Sequence, residues 1–172
     1  MSSSESGYAS PWSGEHARGA GTSDEHPPSG RALEEYRAVP TEATMRAGVP
    51  IRLLIADGQK LAVDTLIELL RQENHIDVVG VATNGAEAVE LAEALLPDVV
   101  LIDPTLPVLD GYEATRQMRL RGRAPSVLVL TSGDDGVNLE EARDAGAAGF
   151  VRKDAGAVEL LGLIVSMASL DA

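Results

Sequence analysis

Cysteine is absent from this chain of 172 residues, and aromatic side chains are scarce, with only one Phe and one Trp. The lack of cysteine excludes disulfide bonds, thiolate metal sites and cysteine catalysis. With so few aromatic side chains, a core has to be built from Leu, Val, Ile and Ala. The sequence supplies these residues, because 44% of it is hydrophobic. One ordinary domain with a hydrophobic core is therefore expected.

Positive charge and long apolar runs are also scarce. The formal net charge is -13, and no stretch is rich enough in Lys or Arg to resemble a nucleic-acid footprint. No apolar run approaches the length of a membrane span, and the polar N-terminus lacks the apolar core of a signal peptide. These absences predict a soluble, cytoplasmic protein that binds neither membranes nor, by itself, nucleic acid.

The first 48 residues differ in composition from the rest of the chain. Within Met1–Gly30, 16 of 30 residues are Ser, Gly or Pro. Such a segment buries too little apolar area to offset the entropy cost of ordering it. We therefore predict a disordered N-terminal arm over residues 1–48 and one folded domain over residues 50–172. A solvated extension is favoured over a partner-binding tail.

From residue 51 onward, short apolar runs alternate with segments of helical periodicity. Strands are predicted at Ile51–Ala56, Ile76–Thr83, Asp98–Ile102, Ser126–Thr131 and Gly149–Arg152. Helices are predicted at Leu61–Gln72, Tyr112–Arg121 and Asn138–Ala145. Two further helices are predicted to begin at the capping residues Asn84 and Asp154. In the last of them, the residues expected to face inward are Val158, Leu161, Val165 and Ala168. Apolar strands alternating with helices predict an α/β fold with a doubly wound, five-stranded parallel sheet in three layers.

Four chemically active residues stand where four different predicted strands end: Asp57, Asp103, Thr131 and Lys153. Ligands of open parallel sheets bind outside the carboxyl ends of the strands, so these side chains are expected to share one crevice. Each has an ordinary structural alternative, such as a turn-forming Asp. Together, two carboxylates, a hydroxyl and an ammonium suit the holding of a phosphoryl group on a carboxylate.

Four ordered motifs resemble bacterial response regulator receiver domains, which have a flavodoxin-like fold. They are the acidic turn in IRLLIADGQKL from residue 51, DPTLPVLDG from residue 103, VLVLTS from residue 127 and GAAGFVRKD from residue 146. The resemblance covers roughly residues 51–170. The strands look most like receivers that precede a helix-turn-helix output domain, although only one predicted helix follows the last motif.

The resemblance implies roles for particular residues. Asp103 matches the phosphoacceptor, which takes a phosphoryl group from a sensor histidine kinase or a small phosphodonor. Thr131, Ser132 and Lys153 match the groups that bind phosphoryl oxygens. Thr131 and Phe150 match the pair that switches the surface after phosphorylation. The implied class is a signalling module, not an enzyme, and pairing of two copies through the last helices and strand is compatible with it.

The same resemblance implies a Mg²⁺ site, and two positions depart from the family pattern. Asp57, Asp103 and the backbone carbonyl of Thr105 match metal ligands, but the second acid of the usual pair is replaced by Gly58. Mg²⁺ requires hard oxygen ligands, so weakened binding is expected. Pro104, directly after the acceptor, removes a backbone N–H at the rim of the pocket.

Three functions consequently stay open on the sequence alone. The first is a phosphorelay receiver that is phosphorylated at Asp103 and signals by protein contact. The second is a degenerate receiver that binds partners independently of phosphorylation, which Gly58 and Pro104 favour. The third is a transcription regulator whose DNA-binding domain is not in this chain. The sequence names neither the cognate kinase nor the downstream protein partner.

Overall fold

The computed structural model of this protein describes residues 48–132 and 138–170. The predicted N-terminal arm lies outside these residues except for its last position, so the division at residue 48 stays a prediction. Within the described ranges, no helix combines the length and the apolar character needed to cross a membrane.

One parallel sheet forms the centre of the described domain. Its strands are β1 (Ile51–Ala56), β2 (Ile76–Ala82), β3 (Val99–Ile102), β4 (Ser126–Thr131) and β5 (Gly149–Arg152). The order across the sheet is β2-β1-β3-β4-β5, and every neighbouring pair is parallel. The predicted fold class is confirmed, and the predicted strand bounds are correct to within one residue.

Helices cover both faces of the sheet. They are α1 (Lys60–Leu70), α2 (Gly85–Leu95), α3 (Gly111–Leu120), α4 (Leu139–Ala145) and α5 (Ala157–Leu170). The core divides into two clusters, one between the sheet and α2, α3 and α4, the other between the sheet and α1 and α5. Because β3 and β4 are buried on both faces, they read as continuous apolar runs in the sequence.

Local side-chain chemistry fixes where the helices begin. The carboxamide of Asn84 accepts the backbone N–H of Glu87 and caps α2, as predicted. Asp110 caps α3 in the same way by accepting the N–H of Glu113. Since each helix of this fold begins at the edge where a strand has just ended, these caps also hold the loops that carry the strand-end residues.

The last helix differs from its prediction in its start and at one position of its buried face. It begins at Ala157, and Asp154 pairs with Arg152 instead of capping it. Of the residues predicted to face inward, Val165 is buried and Leu161 and Ala168 pack against the core, but Val158 is 71% exposed. The buried face also carries Leu160, Ile164 and Met167. Apolar residues fill almost every position of this helix, so two neighbouring stripes satisfy helical spacing equally well. Only packing against the sheet selects between them.

Candidate functional site

The acids that follow β1 and β3 lie side by side at the carboxyl edge of the sheet. Their strands are hydrogen-bonded neighbours, with Ala56 paired to Ile102. The Asp103 N–H donates to the carbonyl of Ala56 over 2.8 Å. Asp57 is 1% exposed and Asp103 is 5% exposed. The predicted convergence of the two carboxylates in one crevice therefore occurs, and both are almost completely removed from solvent.

Lys153 brings its ammonium between these two carboxylates. Its Nζ lies 2.7 Å from Oδ2 of Asp57 and 2.5 Å from Oδ2 of Asp103. The Lys153 backbone N–H donates to the carbonyl of Thr131 over 2.7 Å, which anchors the end of β5 to the end of β4. Three strand-end side chains thus form one ion-paired cluster with two negative charges and one positive charge.

Thr105 binds the second oxygen of the Asp103 carboxylate. Its backbone N–H and its hydroxyl both donate to Oδ1 of Asp103, each over 2.7 Å. From the sequence, only the carbonyl of Thr105 is predicted to matter. A hydroxyl two residues after an Asp is a known signal for local side-chain hydrogen bonding, and this signal could have identified the contact. The Asp103 carboxylate is consequently held at both oxygens.

The environment of the cluster moves two pKa values away from each other. Burial disfavours the charged form of Asp103, but hydrogen bonds from Lys153 and Thr105 outweigh it and lower the pKa of this carboxyl. Burial likewise disfavours the Lys153 ammonium, but its hydrogen bond to Asp103 and its ion pair with Asp57 outweigh that effect and raise its pKa. At neutral pH, Asp103 is a carboxylate and Lys153 is an ammonium.

The carboxylate of Asp57 has one satisfied and one unsatisfied oxygen. Oδ1 accepts the backbone N–H of Gln59 over 2.8 Å. Oδ2 is buried and makes no directed hydrogen bond, so its approach to Lys153 is a purely electrostatic contact. A buried oxygen of this kind beside Asp103 fits a hard cation. The two carboxylates are ligands of the kind that Mg²⁺ takes, and the Thr105 carbonyl stays a prediction of the family resemblance. The described ranges hold no group of three or more acidic or His ligands.

Gly58 leaves space at the position where the family pattern has a second acid. A Cβ added there would lie 3.5 Å from the carbonyl oxygen of Thr83 and 3.9 Å from Cδ of Pro107. Both distances are ordinary van der Waals contacts. Packing therefore does not require glycine at this position. Its presence instead leaves the acidic turn with one carboxylate as a candidate metal ligand, where the family pattern has two.

The loop after the acceptor is closed by Gly111. Its N–H donates to the carbonyl of Pro104 over 3.0 Å. A Cβ at Gly111 would lie 2.3 Å from the backbone oxygen of Asp103. Glycine is needed here because two stretches of backbone touch. Pro104 itself has no N–H, and the donors that the loop aims at the acceptor carboxylate come from Thr105.

The remaining predicted site residues lie around this cluster at different depths. Thr131 is buried at the end of β4, whereas Ser132 is exposed and lines a cleft of about 470 Å³ together with Lys153. Phe150 is 40% exposed on β5, which is an edge strand of the sheet. Thr131 and Ser132 stand at the end of β4, two strands along from β1, and Phe150 lies on β5, one strand further.

Comparison with known proteins gives the same family from sequence and from structure. The response regulator receiver domain family matches residues 53–165. The transcriptional regulatory protein PdtaR of Mycobacterium tuberculosis is 42% identical over 107 residues, which are 62% of this chain and 51% of that protein. The chain spans about half the length of the curated relatives it matches.

Two solved structures illustrate the structural likeness. The signal receiver domain of the response regulator NarL from Mycobacterium tuberculosis superposes with a TM-score of 0.66 at 31% identity, covering 70% of this chain and 97% of that one. The receiver domain of a Pseudomonas aeruginosa sensor histidine kinase has a TM-score of 0.62 at 27% identity, covering 70% and 98%. That protein has a magnesium ion coordinated in its active-site cleft. The chain belongs to the response regulator receiver domain family.

Proposed function

We propose that this protein is a phosphoacceptor of a two-component phosphorelay that takes a phosphoryl group on Asp103 and signals in the cytoplasm by protein contact. One observation supports the assignment above all others. The Lys153 ammonium, whose side chain is 15% exposed, contacts both the candidate acceptor and the neighbouring acid Asp57. A structural role alone does not require two nearly inaccessible carboxylates around one cation, because burying such charges is costly.

In the proposed reaction, one carboxylate oxygen of Asp103 attacks the phosphorus of the donor. An O–P bond forms, and the bond from phosphorus to the donor's nitrogen or oxygen breaks. The donor group leaves with the electron pair of that bond. The lowered pKa of Asp103 keeps it ionised for this attack. The Lys153 ammonium then donates to a phosphoryl oxygen, as a compact cation suited to phosphate.

Asp57, Asp103 and the carbonyl of Thr105 are the proposed ligands of Mg²⁺. When bound, the ion supplies positive charge that offsets the charge of the incoming phosphoryl group. Asp57 serves this role because its Oδ2 is buried and has no directed hydrogen bond. Gly58 supplies no ligand, so we expect weaker Mg²⁺ binding than a second carboxylate would give.

Thr131, Ser132 and Phe150 carry the proposed response to phosphorylation. The hydroxyl of Thr131 and the N–H of Ser132 are assigned to the phosphoryl oxygens. Phe150, which is 40% exposed on an edge strand, is assigned the aromatic part of the switch, in which it turns inward after phosphorylation. Such a change would alter the surface formed by β5 and its flanking helices. A downstream protein partner, or a second copy of the chain, is the proposed reader of that surface.

A degenerate, phosphorylation-independent receiver is the second candidate. Gly58 and Pro104 favour it, since one removes a carboxylate and the other removes a backbone donor. In that case the Lys153 cluster would hold the domain in one fixed state. A DNA-binding function would require a domain beyond the residues that match the receiver family.

Intact-protein mass after incubation with acetyl phosphate and Mg²⁺ distinguishes these candidates. We expect one added phosphoryl group on the wild-type chain, none on Asp103→Asn and none in EDTA. Circular dichroism should show that the variant is folded. A folded wild-type chain without the added mass, even at high Mg²⁺ concentration, would establish the degenerate receiver instead.

A further inference from the structure

Three exposed apolar residues lie at the amino edge of the sheet, where the strands begin, at the opposite end of the domain from the Asp103 crevice. Leu120 is the last residue of α3 and is 84% exposed. Leu96 directly follows α2 and is 52% exposed. Val49 stands two residues before β1 and is 57% exposed. Each helix of this fold ends near the start of the following strand, so the three residues share one end of the domain.

Two polar contacts bring these three positions together. The Nη2 of Arg52, the second residue of β1, donates to the carbonyl of Leu95 over 2.7 Å, which fixes the end of α2 beside the start of β1. The Nη1 of Arg121 lies 3.1 Å from Oε2 of Glu93, which fixes the end of α3 beside the last turn of α2. The three apolar residues adjoin these contacts along the chain. They therefore line one surface, which we call the amino-edge patch.

The backbone of Leu96 adds a second unusual feature to the patch. Its φ of 49° and ψ of 58° place it in the left-handed region. Gly or Asn usually follows a helix in this conformation, because a Cβ disfavours it. A leucine here costs stability and leaves half of its side chain in water. Folding of the described domain alone does not account for it, whereas an apolar segment covering the patch does.

The N-terminal arm joins the domain at this same edge. Gly48 has a φ of 77°, so the chain turns there, three residues before β1 begins. Within the arm, residues 32–39 (ALEEYRAV) stand out, because five of these eight residues are hydrophobic. Residues 40–47 connect this segment to the turn and can span up to about 26 Å when extended. Neighbouring helices lie about 10 Å apart, so the segment can reach the ends of both α2 and α3.

We propose that residues 32–39 of the chain's own N-terminal arm dock on the amino-edge patch and cover Leu96 and Leu120. The size of the patch favours a tethered occupant. Three Val or Leu side chains present on the order of 300 Å² of apolar area. A stable interface between separate proteins needs ~800 Å² per partner. A short flexible tether instead supplies an effective concentration in the millimolar range, so a small contact suffices.

Charge complementarity supports the same occupant. Three arginines fall within residues 119–123, although the net charge of the whole chain is -13. The segment carries Glu34 and Glu35 among its apolar residues. The side chains of Arg121 and Arg123 are 50% and 52% exposed, and each pairs with one acid of the domain. A guanidinium has five N–H donors, so both arginines keep donors for the carboxylates of the segment.

A fluorescent probe within the segment tests the docking in the full-length chain. Trp12→Phe removes the only Trp of the chain, and Tyr36→Trp places an indole in the segment. Because the tether keeps the segment docked, we expect acrylamide to quench this indole at least about twofold less efficiently than it quenches Trp12 in the wild-type chain. Adding Leu120→Ser should raise quenching to the level of Trp12. Leu61→Ser is the matched control and should change nothing, since Leu61 is 81% exposed at the opposite edge of the sheet.

A double-mutant cycle joins the two sides of the contact. Leu33→Ser should raise quenching as Leu120→Ser does, and the two together should raise it no further, because either substitution alone releases the segment. Thermal unfolding should show both variants folded, since Leu120 lies outside the core. Acetyl phosphate labelling of Asp103 should stay within twofold of wild type in both. The docking and the proposed phosphorylation therefore stand or fall separately.

Cleavage by trypsin gives an independent measure on the unlabelled wild-type chain. Trypsin cuts after arginine, and the arm has Arg37 inside the segment and Arg18 outside it. A docked segment resists the enzyme, so cleavage after Arg37 should be at least about fivefold slower than cleavage after Arg18. Leu120→Ser should bring the two rates together.

Three results would overturn the docking. The indole at position 36 could be quenched as readily as Trp12 with or without Leu120→Ser. Leu61→Ser could release it as effectively as Leu120→Ser, which would place the segment elsewhere on the domain. Protection could disappear on dilution while light scattering shows a dimer converting to a monomer, which would assign the patch to the arm of a second copy.

Discussion

Both hydrogen-bond donors of Thr105 converge on a single oxygen of Asp103, each at 2.7 Å, while Lys153 contacts the other oxygen. The Asp103 carboxylate is therefore fixed in one orientation before any donor arrives. Oδ1 accepts two neutral hydrogen bonds and Oδ2 accepts one charge-assisted bond from the ammonium. Whichever oxygen attacks phosphorus therefore has to release a donor first.

Removal of the Thr105 hydroxyl should make Asp103 a weaker acid. Thr105→Val keeps the shape of the side chain and the backbone donor but deletes one of the bonds that lower the pKa of Asp103. We expect that pKa to rise and the free energy of unfolding to fall by about 1 kcal/mol. Carboxyl NMR titration measures the pKa, and Thr105→Ser, which restores the hydroxyl, is the control. An unchanged pKa in Thr105→Val would contradict the role of this bond.

Loss of the Lys153 ammonium should destabilise the domain through repulsion between Asp57 and Asp103. In Lys153→Met the two buried carboxylates face each other without a cation. We expect the free energy of unfolding to fall by about 2 kcal/mol in the absence of Mg²⁺. Adding Asp103→Asn should recover part of this loss, with a coupling energy of about 1 kcal/mol in a double-mutant cycle. Strictly additive effects in urea unfolding would argue against a shared cluster.

The same ion pairs set a pH window for stability. The pKa of Asp103 is lowered from its ordinary 3.8, so its contribution is present above that value and is lost as pH falls through the folded-state pKa. The pKa of Lys153 is raised from its ordinary 10.5, so its contribution is present below that value and is lost as pH rises through the folded-state pKa. The stability difference between wild type and Lys153→Met should be level between these limits and shrink outside them.

A matched lysine controls this pH experiment. Lys60 forms an ion pair with Asp64 on the surface, where its side chain is 85% exposed. Exposed pairs contribute little, so Lys60→Met should change stability by less than about 0.5 kcal/mol at every pH. Equal effects of the two lysine substitutions on the free energy of unfolding would show that the cluster at Asp103 stabilises the domain no more than a surface ion pair does. Urea unfolding at a series of pH values measures both variants.

Gly58→Asp should strengthen the proposed Mg²⁺ site. The space for a side chain exists, since the nearest atoms to an added Cβ are 3.5 Å and 3.9 Å away. A second carboxylate in the acidic turn should raise Mg²⁺ affinity at least about tenfold, or ~1.4 kcal/mol. Without Mg²⁺ the same variant should be less stable than wild type, because it adds a third negative charge.

Isothermal titration calorimetry with MgCl₂ measures this change in affinity. Gly58→Asn is the control, because it fills the same space with a neutral group and should leave the stability without Mg²⁺ nearer to wild type. Equal Mg²⁺ affinity for Gly58→Asp and wild type would mean that the ion is not bound beside this turn.

One substitution, Gly to Ala, should have opposite effects at two positions. At Gly111, the new Cβ would meet the backbone of Asp103 at 2.3 Å and of Pro104 at 2.8 Å. We expect Gly111→Ala to lower the free energy of unfolding by about 3 kcal/mol and to reduce labelling of Asp103. At Gly162, inside α5, nothing lies within 4 Å of an added Cβ. Gly162→Ala should therefore stabilise the domain by about 0.5–1 kcal/mol. Thermal unfolding compares the two, and a stable Gly111→Ala variant would contradict the close contact.

The strands and helices could be predicted from the sequence because the signals for each element lie within it or directly beside it. The strand at Ser126–Thr131 has the same bounds in the sequence and in the structure, since a run of alternating Val and Leu residues ends at a polar one. Asn84, a residue type that caps helices, likewise predicts the start of α2 from the sequence. The first buried residue of α5 could not be predicted. Val158 and Leu160 are both apolar, and only the position of the sheet decides which is buried.

The sequence by itself determined which groups reach the carboxyl edge of the sheet, because parallel strands bring their ends together whatever the side chains are. Asp57, Asp103 and Lys153 were identifiable on this ground. Only the tertiary structure decided how they pair. Contacts between residues 50 positions apart depend on side-chain orientation at the ends of separate strands. The close approach of the Gly85 backbone to the Leu109 carbonyl likewise joins two separate loops, a contact that no local pattern contains.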